Sequence, residues 1–111
     1  MNREQQIDDA KFSPEDLRAA LVERHSEETQ QKLEVGRVAI AGLGGLGSNI
    51  AVALARIGVG HLHLLDFDRI DLTNLNRQQY FLDQVGWYKT EALAETLQRI
   101  SPYLDIRFDT V

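Results

Sequence analysis

Three glycines, Gly42, Gly44 and Gly47, stand in the pattern G-x-G-x-x-G within GLGGLGSN (42–49), a stretch that also contains Gly45 and Ser48. Such a run makes a tight turn and lets backbone N–H groups approach an anion, most effectively at the start of a helix, whose dipole favours negative charge. Asp66 lies 19 residues beyond Gly47, the separation at which a carboxylate usually meets ribose hydroxyls, and Asp68 follows two residues later. The segment DFDRIDLTNLNRQQYF (66–81) then gathers Asn74, Arg77 and Gln78, and Lys89 comes twelve residues after Arg77. Glycines for close approach to phosphate and an acid for the ribose point to a nucleotide site, and the Asn, Arg, Gln and Lys are concentrated beside its predicted ribose end. Glycines and acid alone do not separate NAD from ATP, because dinucleotide-binding dehydrogenases share both. Against this stands a plainer account, in which the glycines only permit tight helix–strand packing and the two cations are solvated surface charges.

The elements that must position these residues are legible in the pattern. RVAIAG (37–42) is a continuous apolar run ending in glycine, as expected of a strand buried on both faces of a parallel sheet. Leu46, Ile50, Leu54 and Ile57 recur at helical spacing, GVG (58–60) closes that helix, and HLHLLDFD (61–68) gives a second strand ending in acids. A further helix is predicted over about 88–100, stopped by Ser101-Pro102, and LDIRFDTV (104–111) alternates as a half-exposed edge strand. Upstream, Ser13, Pro14 and Asp16 form a helix-start signature for a helix over about 14–33, whose sparse apolar stripe suits an arm better than a core element.

Assembled, these pieces predict an α/β fold: the first half of a Rossmann-like, doubly wound parallel sheet, about three strands in the order third, second, first. An N-terminal helical arm (1–34) precedes the sheet-forming part (35–111). In a three-stranded sheet the apolar strand 37–41 is an unprotected edge, so it is expected to be paired or covered, by the rest of a larger domain or by a partner chain.

Composition narrows the field. A chain of 111 residues holds one domain, and its net charge of -5 argues against a clustered basic face for nucleic acid or an anionic membrane. The absence of cysteine removes thiolate chemistry, disulfides and sulfur-based zinc sites, and fits a reducing cytoplasm. MNREQQIDDAKF (1–12) lacks the apolar core of a signal peptide, and no stretch approaches the roughly 20 apolar residues of a membrane span. His25, His61 and His63 lack the arrangement of a metal site and are expected to be structural.

Taken together, GLGGLGSN, LLDFDRIDLTNLNRQQYF (64–81) and WYKTEAL (87–93) resemble the ThiF/MoeB/HesA family, relatives of the ubiquitin-activating enzymes, over about residues 35–111. Within it, LVERHSEETQQKL (21–33) is most similar to ThiF-like proteins of thiamine biosynthesis. The resemblance implies an adenylyltransferase that uses ATP and Mg2+ to activate the C-terminal glycine of a small ubiquitin-like sulfur carrier, a ThiS-like protein. It implies that Arg77 and Lys89 contact phosphates, that Asn74 and Gln78 shape the pocket, that Asp66 holds the ribose and that Asp68 lies near the metal–phosphate region. Arg24 resembles a family arginine that reaches the ATP site of a neighbouring subunit in a homodimer; its plainer alternative is a solvent-exposed pair with Glu28. The family's magnesium-binding aspartate, which comes after the third strand, falls outside these 111 residues, so no metal ligand is assigned within the chain. Molybdopterin- and tRNA-modification relatives are close competitors, followed by an NAD-binding oxidoreductase half-domain and a non-catalytic dimerisation module.

Overall fold

A computed structural model of the chain describes residues 11–111, so most of MNREQQIDDAKF and the first ten residues of the arm lie outside it. Three parallel strands, β1 (Arg37–Ala41), β2 (His61–Leu65) and β3 (Asp105–Asp109), form a sheet in the order β1-β2-β3. Its register pairs Arg37 with His61 and His61 with Asp105, which leaves β1 and β3 as edges. This is the expected α/β, Rossmann-like half-sheet.

The arm is two helices, α1 (Pro14–His25) and α2 (Glu27–Val35), where one was expected. Ser13 caps α1 with a reciprocal Ser13–Asp16 capping box and Pro14 in the first turn, as its sequence signature requires. Ser26 breaks the run: it sits at φ 88, a region non-glycine residues seldom enter, and its hydroxyl caps α2 by accepting from the Thr29 N–H. The two helices fold back on each other, and Arg18 of α1 bonds Glu27 and Glu34 of α2. Glu28 pairs with Lys32, whereas the alternative partner Arg24 makes no ion pair among the described residues.

Two crossover helices, α3 (Gly45–Ile57) and α4 (Lys89–Ile100), pack on one face of the sheet, over Ile40, Leu62 and Leu64. Their shared core includes Leu43, Ala51, Ala55, Leu93 and Leu97. The helical spacing of α3's large residues marks the helix but not the face it buries. Leu46, Ile50 and Ile57 are 77%, 40% and 46% exposed, while the inward side is built of Ser48, Ala51 and Ala55. Small side chains let α3 lie close to the sheet. Gly58 ends it in the left-handed conformation, at φ 97.

The other sheet face corrects the expectation that β1 is buried on both sides, since Arg37, Ala39 and Ala41 are exposed there. No described element covers that face. Across it His61 bonds Asp105 and His63 bonds Asp109, each at 2.7 Å, and His25 bonds Gln30. The three histidines are thus tied to side chains, and no group of three or more metal-ligating side chains occurs among the described residues. No helix among those residues is long and apolar enough to cross a membrane.

Candidate nucleotide site

The glycine turn sits at the carboxyl end of β1, between that strand and the first turn of α3. Gly42 takes φ 93, and its N–H bonds the Leu65 carbonyl of β2. A Cβ at Gly47 would stand 1.8 Å from the Gly42 carbonyl oxygen, so the turn closes on itself only because residue 47 has no side chain. The first α3 hydrogen bond runs from the Ser48 N–H to the Gly44 carbonyl. The N–H groups of the first turn before it, starting with Gly45, have no partner further back in the helix, which is the usual anion-facing arrangement of a helix start.

Asp66, just past the end of β2, is brought to this turn. One carboxylate oxygen accepts the Leu43 N–H at 2.7 Å and the other accepts the Asp68 N–H at 2.6 Å. Each oxygen carries a second lone-pair site, so the group retains capacity for a sugar hydroxyl while it shapes the turn. Asp68 is exposed; its carbonyl accepts the Lys89 N–H, which fixes the start of α4 beside it.

The crossover segment 66–88 has two short 3₁₀ turns, Leu72–Asn76 and Leu82–Gln84, and runs back over the glycine turn. Arg77 lies against it, its Cγ and Cδ 3.7 and 3.8 Å from the position of a Cβ at Gly45. Its guanidinium bonds the Thr73 carbonyl and Asn76 Oδ1, and no carboxylate neutralises it among the described residues. Lys89, at the first position of α4, is only 6% exposed, yet its amine makes no hydrogen bond or ion pair among those residues. An ammonium without a counter-charge among the described residues, on a stem that the fold buries, is suited to an anion. Gln78 is 8% exposed and its Oε1 is buried without a partner among the described residues, with Nε2 near Gly44.

Other expected residues are differently employed. Ser48 is fully buried; its hydroxyl donates to the Gly44 carbonyl and accepts the Gln79 N–H. Asn74 turns back to accept the Asp71 N–H and close its own 3₁₀ turn. Arg24 is exposed on α1, which packs against the far end of α3, where Leu21 meets Gly58. It is therefore not brought to the glycine turn of its own chain. Tyr88 lies under the Arg69 guanidinium, 4.0 Å from ring centroid to carbon, and packs at the helix start as its position suggests.

Sequence reasoning missed the braces. Asn49 donates to the carbonyls of Gly45 and Arg77 while Gln79 donates to Asn49. The Tyr80 hydroxyl, in the core, donates to the Leu43 carbonyl at 2.7 Å. Burial raises the Tyr80 phenol well above its ordinary value, with the nearby Asp66 charge adding to the effect, so it remains a donor. Apart from the Asn49–Gly45 bond within α3, no local spacing signals these bonds, because they join residues 28 to 37 positions apart.

A three-stranded parallel half-sheet, with a glycine turn at its carboxyl end crossed by a segment that carries Arg77, defines a Rossmann-like class. Within it the chain belongs to the ThiF family, whose model matches residues 17–110. It is 48% identical over 73 residues to ubiquitin-like modifier-activating enzyme 5 of Drosophila virilis, covering 66% of this chain and 18% of that protein. Against the protein of the same name from Arabidopsis thaliana it is 49% identical over 65 residues, 59% of this chain and 15% of the relative. The chain thus spans less than a fifth of these relatives. Among solved structures it resembles E. coli tRNA N6-threonylcarbamoyladenosine dehydratase, TcdA, in complex with ATP: TM-score 0.80, 33% identity, 84% of this chain and 39% of that one. E. coli MccB matches with TM-score 0.72 and 37% identity, over 74% of this chain and 24% of that one.

Proposed function

We propose that the chain is the nucleotide-binding part of an ATP-dependent adenylyltransferase that activates the C-terminal glycine carboxylate of a small ubiquitin-like protein. The observation that carries this reading is Arg77, a cation with no carboxylate partner among the described residues, lying against a glycine turn that opens a helix, with Lys89 heading α4 next to Asp68. The names of the relatives and an ATP complex in the same fold support it.

The residues present fit the phosphates of ATP. For Mg2+ they offer the exposed Asp68 but no cluster of three ligands among the described residues, so no step is assigned to the metal here. When bound, ATP supplies an electrophilic α-phosphorus: a carboxylate oxygen forms a new P–O bond, the bond to the bridging oxygen breaks, and pyrophosphate leaves with an acyl-adenylate behind. The chain's own residues work on charge. An anionic nucleophile approaching an anionic phosphate needs fixed positive charge, which Lys89, Arg77 and the helix-start amides provide without reorganisation. Asp66 holds the ribose and Gln78 borders the pocket, while Asn74 closes the 3₁₀ turn that precedes Arg77.

In its narrower form the acceptor is a ThiS-like sulfur carrier of thiamine biosynthesis, supported by LVERHSEETQQKL; the tRNA-modification relative keeps a second pathway open to test. We extend the reading to a cytoplasmic homodimer. The exposed stripe Leu46, Ile50, Ile57 would let two α3 helices pack antiparallel, and α1 docks at the Gly58 end of α3. Such packing would carry the partner's α1, with Arg24, towards the glycine turn.

Titration of the chain with Mg-ATP and, separately, with NAD tests the core of the proposal. Saturable ATP binding well above NAD binding is expected, weakened about 10- to 100-fold by Arg77→Ala. Preference for NAD would instead identify an oxidoreductase half-domain.

A further inference from the structure

Leu43 is held at three points. Its side chain is fully buried in the core, its N–H is taken by Asp66, and its carbonyl is taken by the Tyr80 hydroxyl. The peptide planes on either side of it are therefore fixed. No cis peptide occurs among the described residues, and in a trans peptide the C=O and the following N–H point in opposite directions. The plane on the amino side obeys this rule visibly: the Leu43 N–H points to Asp66, and the Gly42 carbonyl that shares its plane points the other way, under Gly47. The plane on the carboxyl side joins the Leu43 carbonyl, which faces Tyr80 in the core, to the Gly44 N–H. That N–H has no hydrogen-bond partner among the described residues.

We propose that Tyr80 is the positioning residue of the glycine turn: by drawing the Leu43 carbonyl inward it turns the Gly44 N–H outward, towards the phosphates of the proposed nucleotide. This rests on the nucleotide-binding reading for its purpose, but not for its geometry. Tyr80 comes from the crossover segment, so the same bond also ties the position of Arg77, three residues earlier, to the direction of the amide. Ser48 and Asn49 add bonds to Gln79 and Arg77, yet they act on the carbonyls of Gly44, Gly45 and Arg77, not on the plane that carries the Gly44 N–H.

The test is Tyr80→Phe, which removes one oxygen and keeps the ring in the core. In the unliganded protein the backbone order parameter of the Gly44 N–H should be that of a rigid amide, about 0.85, and should fall in the variant, while those of α4 stay unchanged. ATP affinity should drop about tenfold relative to adenosine affinity, because only the phosphates need the amide. A purely structural Tyr80 would lower the melting temperature and weaken adenosine and ATP alike, and that outcome overturns the proposal. So does an unchanged Gly44 order parameter in Tyr80→Phe. If the variant is too unstable to study, the wild type decides: slow exchange of the Gly44 amide would mean that it is bonded inside, against the proposal, and fast exchange from a rigid amide agrees with it. Failure of the wild type to bind ATP would remove the nucleotide reading and leave the Gly44 measurements to judge Tyr80.

Discussion

At each end of the sheet a glycine lets one stretch of backbone lie directly on another. A Cβ at Gly47, at the carboxyl end, would stand 1.8 Å from the Gly42 carbonyl oxygen; one at Gly60, at the amino end, would stand 1.8 Å from that of Glu34. The two contacts leave their backbone groups in different states. At the amino end those groups are consumed: Gly60 N–H bonds Leu33, His61 N–H bonds Gly36, and Asp105 N–H bonds the Gly60 carbonyl. The α1–α2 hairpin above them is tied down by surface ion pairs around Arg18. At the carboxyl end carbonyls are braced by buried or partly buried side chains, Tyr80 and Ser48 among them, while the Gly44 N–H stays unpaired among the described residues. Close packing whose neighbouring N–H groups are all bonded makes a joint, and close packing that leaves an N–H facing out makes a site.

The largest effect that would break this comparison is expected from Gly47→Ala. Backbone must move against backbone, so unfolding in denaturant should show a loss of roughly 3 kcal/mol or more, and the molecules still folded should lose ATP binding. Gly60→Ala meets an equal clash and should cost a similar amount of stability, yet its folded fraction should titrate with ATP as the wild type does. Loss of affinity there would mean that the two ends are not independent. Arg77→Ala should leave the melting temperature unchanged, since the side chain is exposed, while still weakening ATP binding.

The smallest effect is expected at the amino end, from acid. Hydrogen bonds from Arg18 hold the Glu27 and Glu34 carboxyls below their ordinary values, and the bond with His61 does the same for Asp105. A carboxylate whose folded pKa is depressed stabilises the fold above its unfolded value, and that contribution disappears as pH falls through the folded one. Amide exchange followed on the acid side of about pH 4 should therefore loosen α1 and α2, and Arg18→Ala should remove most of that dependence. Because Glu27 is exposed and Arg18 and Glu34 are only half-buried, added salt should mimic the substitution in part.

Much of this architecture is readable from particular residues. The Ser13–Asp16 box and the Gly58 stop act locally, through capping and φ, and the structure obeys them; β3 forms as an edge strand where its pattern predicts, but its burial does not alternate, Phe108 being 43% exposed. The break at Ser26 was not readable, because an unfavourable φ at one residue is repaid by contacts between α1 and α2 that only the folded hairpin makes. The direction of α3 was also hidden. Apolar spacing identified a helix, but close approach at Gly47 selected the small residues for the inside and left Leu46 out.

The site divides in the same way. Sequence alone determined that a glycine turn separates a strand from a helix, that Asp66 stands at the end of the next strand, and that Arg77 and Lys89 stand in the crossover; these are matters of residue type and spacing along one chain. Only the tertiary structure decided that Arg77 lies on Gly45, that Lys89 is buried without a counter-charge among the described residues, and that Ser48 braces the turn instead of facing solvent. It also decided which way the amide after Leu43 points. That direction is set by Asp66 and Tyr80, which come from 23 and 37 positions further on and meet the turn only when the sheet has formed.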